Sequence, residues 1–125
     1  MPAIFNAMAQ YVTLQELKAR VYADDTTAYD TRLQGILDNA ECAVITMTDH
    51  APGDVRSIPV ASFPGELREA ILQLAAAWFA QPEGTAPQQF HSVPFGISFL
   101  VKPYEKMKGG SRLTPLIEAA KAQAQ

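Results

Sequence analysis

The chain is poor in the residues that carry chemistry. Its 125 residues include one cysteine, Cys42. With no second thiol there is no disulfide within the chain, and zinc sites built on several cysteines are excluded. There are two histidines, His50 and His91, and both fall in expected loops. Asp49 sits beside His50, but neighbours in sequence do not converge on a substrate as a base and its orienting partner must. An excess of positive charge is missing too. Ten basic and 13 acidic residues leave a net charge of -3, with no lysine–arginine cluster dense enough to grip a phosphate backbone. No apolar run approaches the roughly 20 residues that span a bilayer. The opening MPAIFNAMAQ has no basic n-region and no long apolar stretch, so the expectation is a chain made in the cytosol without a signal peptide. Repeats at solenoid periods and low-complexity tracts are absent. Gly109-Gly110 runs into Ser111-Arg112 with no strand before it, which reads as a hinge and not a phosphate loop.

What is present is a globular composition, 48% apolar, patterned for helices. Residues 1–12 read as an arm anchored by Ile4, Phe5 and Met8. Thr13-Leu14-Gln15-Glu16 matches a capping box and opens a short helix to about Arg20. Asp24-Asp25-Thr26-Thr27 offers a cap and acids suited to the start of a second helix. From Tyr29 to Met47, the residues Tyr29, Leu33, Ile36, Leu37, Ala40, Ala43, Val44 and Met47 recur at steps of three and four. Asp30, Gln34, Asp38 and Glu41 take the opposite face, while Cys42 and Ile45 point away from the main stripe. In the connector 48–63, Val55, Ile58 and Val60 alternate as a short hairpin or extended arm would.

Pro64 leads a third helix with Leu67, Ala70, Ile71, Leu74, Ala75 and Trp78 on one stripe and Leu72, Ala76 and Phe79 on another. A helix apolar on two sides is either central to its domain or shared with another subunit. After a polar loop, Ile97, Leu100, Val101 and Tyr104 share a face, and Pro103 must end or kink that segment. Thr114-Pro115 starts a weakly amphipathic last helix with Leu116, Ile117 and Ala120, too short to stand without something to dock on.

The expectation is an all-α or mostly α bundle in which the second and third helices pack antiparallel. Residues 1–108 form the domain, and 109–125 form a hinge and helical tail. The expected core is Leu33, Ile36, Leu37, Ala40, Val44, Leu67, Ile71, Leu74, Trp78, Ile97, Leu100 and Tyr104.

The order "YVTLQELKARV", "ADDTTAYD", a long amphipathic helix, "LREAILQLAAAWF" and "VPFGISFLVKPYEKM" resembles the head–tail connector (adaptor) family of long-tailed phages and gene-transfer particles, over roughly residues 11–107. The resemblance implies a structural virion protein of the neck. It implies a ring of about a dozen copies on the head portal, a tail-side connector or tail terminator as the other neighbour, and DNA passing through the lumen without sequence-specific binding. It brings no catalytic residue, cofactor or metal ligand, and no membrane role. The arm and the tail beyond Gly110 depart from the family pattern.

Surplus apolarity makes Cys42, Ile45, Leu72, Phe79, Leu116 and Ile117 the expected subunit or portal interface. Lys102, Lys106, Lys108 and Arg112 form a thin basic cluster for the lumen wall or an acidic partner. The rival from another class is a small helical DNA-binding regulator. That reading needs a short two-helix unit with a basic recognition helix, whereas the third helix here is apolar. Asp24-Asp25 reads as helix-cap acids before a metal pair, and Trp78-Phe79 as core packing before a ligand pocket.

Overall fold

The computed structural model describes residues 9–21, 26–80, 95–106 and 111–123, without the side chain of Phe95. Among them the fold is all-α, with six α-helices and no strand. The helices are α1 (Leu14–Arg20), α2 (Asp30–Met47), α3 (Pro52–Arg56), α4 (Gly65–Ala80), α5 (Phe95–Val101) and α6 (Thr114–Gln123). Single 3-10 turns occupy Val60–Ser62 and Lys102–Tyr104.

Thr13 closes the expected capping box on α1: the Glu16 amide donates to its hydroxyl (3.2 Å) and the Glu16 carboxylate accepts from its amide (3.0 Å). In α2, Leu33, Leu37, Ala40 and Val44 are wholly buried, and Ile36, Ala43 and Met47 pack half-buried beside them. The helix starts later than its acidic cap signal implies. Tyr29 is the N-cap and makes no side-chain cap bond, Thr26 instead closes a local turn to the Ala28 amide, and Asp24 and Asp25 lie outside the described residues. Tyr29 is therefore 47% exposed, off the core stripe.

α4 is the centre of the molecule, in contact with α1, α2 and α5. This explains its two apolar sides: Leu67, Ala70, Ile71, Leu72, Leu74, Ala75 and Trp78 are all buried within the subunit. It runs antiparallel to α2. Phe79, at its C-terminal end, meets Tyr29 and Arg32 at the start of α2, while Arg68, near its N-terminal end, bonds to Tyr11, which sits on Glu41 further along α2.

The connector is a correction. It holds the short helix α3 and a 3-10 turn where a hairpin or extended arm is expected. Pro52 presets the first helical turn, and Val55 and Ile58, three apart, both turn inward while Val60 stays 52% exposed. Spacing by three outweighs the two-residue step from Ile58 to Val60. Asp49 leaves α2 through a left-handed conformation (φ 61°), which a short polar side chain tolerates.

At Pro103 the α-helical α5 tightens into the 3-10 turn. Ile97, Val101 and Tyr104 are buried, and Leu100 is only half-buried, so Val101 takes the core place expected of it. The last helix, α6, docks on the body. Leu113, Ile117 and Ala120 are buried, the Arg112 amide bonds to the Pro103 carbonyl (3.1 Å), and Lys121 reaches Asp54 (3.3 Å).

Candidate functional site

Glu41 is the most unusual side chain in the molecule. It is a carboxylate with no exposure at all. Burying a charge is costly unless it is paired and hydrogen-bonded, and Glu41 is both. It accepts from the successive amides of Gln10 (2.6 Å) and Tyr11 (2.8 Å) and from the guanidinium of Arg56 (2.8 Å). Asp38, one turn earlier, accepts the Ala9 amide (2.7 Å). The polar face of α2 is thus a docking strip for the segment before α1. The Tyr11 hydroxyl donates to the carbonyls of Val55 (2.8 Å) and Ile58 (2.7 Å), and its ring lies on Phe63. Burial, with the nearby Glu41 charge, pushes the Tyr11 phenol up to about 12.

Among the described residues most cations are paired inside the subunit. Lys18 pairs with Asp30, Arg20 with Glu69, Arg56 with Glu41, Arg68 with Glu16 and Lys121 with Asp54. The Arg20–Glu69 pair is a two-bond fork, and its hydrogen bonds hold the Glu69 carboxyl below its ordinary range. Arg32 stacks over Phe79, 4.8 Å from the ring centre.

Lys102, Lys106 and Arg112 have no carboxylate within ion-pair distance among the described residues, and all three are exposed. They gather near the C-terminal end of α2. The Lys106 amide donates to the carbonyl of Thr48, the C-cap of α2 (2.7 Å), and Arg112 is tied to Pro103. Lys108 lies outside the described residues. Phe99, 62% exposed, lines a concavity of about 320 Å³ with Ser98, Lys102 and Glu105. Close by, Tyr104 donates to Glu66 (2.6 Å), and burial followed by that bond raises its phenol pKa.

Of the residues expected at an interface, Ile45, Leu72 and Ile117 are 2%, 7% and 6% exposed, their surface already covered within the subunit. Cys42 is half-buried, its sulfur 3.5 Å from the Arg56 guanidinium. Phe79 and Leu116 are half-buried at the surface. Sequence reasoning missed the exposed Phe99. The signal was there: Phe99 is off the face shared by Ile97, Leu100, Val101 and Tyr104. Glu41 left no such trace, because its partners come from remote segments.

Among the described residues no helix is long and apolar enough to cross a membrane, and no three His, Cys, Asp or Glu side chains gather as metal ligands.

The family model for phage gp6-like head-tail connector proteins matches residues 11–107. The chain belongs to that family. The match begins at Tyr11, the residue held by Glu41, and runs past the Lys102–Tyr104 turn. Head-tail connectors are structural proteins of the virion neck, and membership implies contacts with portal and tail proteins. No curated protein and no solved structure matches the chain.

Proposed function

We propose that this connector works as one subunit of a closed ring of about a dozen copies between the head portal and the tail, completing the head and lining the DNA conduit. The family match over residues 11–107 carries the reading. The charge pattern supports it. A conduit must let DNA slide, and each neutralised phosphate adds affinity. This chain has a net charge of -3 and spends most of its described cations on its own carboxylates.

The half-buried Phe79, Leu116 and Cys42 are surface available to neighbouring subunits, and Lys102, Lys106 and Arg112 are available to an acidic partner. Ile45, Leu72 and Ile117 act from within, shaping the subunit. The test is mass and shape by light scattering and negative-stain microscopy, for the chain alone and with its portal. Rings, or a monomer that becomes a ring on the portal, are expected. A stable dimer that ignored the portal and bound duplex DNA with a steep salt dependence would overturn the proposal in favour of a regulator.

A further inference from the structure

The last described helix, α6, stands apart from the rest of the fold. It lies beyond residue 107, where the family match ends. It is also the helix least engaged with the others, since the extensive helix–helix contacts all run among α1, α2, α3, α4 and α5. One short link, residues 107–110, joins it to the body, and that link includes Gly109-Gly110.

Its hold on the body is an apolar stripe with polar ties at both ends. Leu113, Ile117 and Ala120, at steps of four and three, are buried, and Leu113 and Ile117 belong to the hydrophobic core. Pro115, Glu118, Ala119 and Ala122 face outward and are exposed. The Lys121–Asp54 pair is open to water on both sides, so solvent screening leaves it weak. At the other end His50 bonds to Ser111, and the Arg112 amide bonds to the Pro103 carbonyl. That last bond folds the chain back, and so returns α6 to the body it came from.

A helix of ten residues is marginal by itself, and lifting it would bare the apolar surface beneath Leu113 and Ile117. Neither α6 nor its seat is stable empty. An element with few contacts opens at low free-energy cost. In a closed assembly the neighbouring copy presents an identical seat at high local concentration. The contacts made there are the same residue for residue, which is why exchanging an element between copies joins them at little cost. The link sets the reach. The five Cα steps from Lys106, held by Thr48, to Ser111 span at most about 18 Å.

We propose that α6 is exchanged on assembly: Leu113, Ile117 and Ala120 of one subunit fill the seat of a second copy of this chain, and Lys121 reaches Asp54 of the partner subunit. The exchange joins two different surfaces, so it is heterologous and repeats from copy to copy around a ring. The inference rests on the ring reading above and names the element that locks the ring.

The test reads where Lys121 goes. Asp54→Cys and Lys121→Cys are made separately and together in a Cys42→Ser background, with thermal melts confirming that each variant folds. A short bis-maleimide joins the two thiols, a reach suited to a pair whose native tips lie 3.3 Å apart. In dilute, unassembled chain the double variant is expected to link within the chain and run as a monomer on denaturing gels. In rings, alone or in assembled particles, that internal link is expected to be largely lost and replaced by a ladder of covalent oligomers. Rings made from an equal mixture of the two single variants are expected to give covalent dimers and nothing larger, because no internal link can form there. Rings whose double variant links only within chains would overturn the exchange and leave the ring reading standing. A ladder with the internal link undiminished marks neighbours that merely touch, and would overturn it as well. So would rings with neither link, which mark an α6 seated on another protein. Absence of any ring, alone or in particles, would overturn both readings.

Discussion

Tyr11 lies flat on Phe63, with ring centres 3.7 Å apart and planes 4° from parallel. That stack joins the segment before α1 to the entry of α4, across more than 50 residues of chain. Its hydroxyl is satisfied by two backbone carbonyls of the connector, so one side chain fastens three segments.

An alkaline transition follows from Tyr11. Its phenol is raised from 10.0 to about 12 in the fold. A group whose folded pKa lies above its unfolded one adds stability that is complete below about pH 10 and is lost as pH rises through about 12. Denaturant melts from pH 9 to 12 should show that loss. Tyr11→Phe should be less stable at neutral pH by roughly 1–3 kcal/mol, having left two carbonyls without their donor, and should show a weaker alkaline decline. An unchanged decline would assign it to other tyrosines.

Glu41→Ala should destabilise by about 3–5 kcal/mol, because Arg56 and two amides lose a buried partner together. Adding Arg56→Met should recover part of that loss by removing the stranded charge. A urea double-mutant cycle measures the coupling, and strict additivity of the two changes would refute the clamp.

Trp78 is 8% exposed and faces the α4 core. Trp78→Ala should cost about 3–5 kcal/mol in urea melts. A cost below about 1 kcal/mol would mean that the ring contributes little to the packing of α4.

His50 predicts an acid-side effect. Its ring bonds to Ser111 (2.7 Å), which also accepts the Leu113 amide at the start of α6. Burial, then the charge of Lys106, lowers the His50 pKa against the opposing pull of Asp54, Asp49 and the Tyr104 backbone. A histidine with a lowered folded pKa adds stability present above its ordinary 6.5 and lost as pH falls through the folded value. Hydrogen exchange of the α6 amides should therefore quicken at mildly acidic pH, and His50→Gln should remove that pH dependence. Identical pH profiles in both proteins would sink the idea.

The helices were legible because their signals are local. A capping box spans four residues, and the stripe of Leu33, Leu37, Ala40 and Val44 is a matter of spacing along α2. The short helix α3 was not legible, because Val55 and Ile58 satisfy a loose alternation as well as a helical step. The start of α2 was misread since Thr26 spends its hydroxyl on a local turn.

The sequence by itself determined an all-α subunit with α2 and α4 as its main elements, no disulfide, and a family resemblance spread over its length. The periodicity of apolar residues and the order of segments are written along the chain. Only the tertiary structure decided what the faces do. It turned the acidic face of α2 into the seat of residues 9–11, buried Ile45 and Leu72 within the subunit, and left Tyr29 and Phe99 exposed. Those outcomes depend on which remote segment arrives at each face, and burial and pairing are set by that arrival and not by the spacing of residues along one helix.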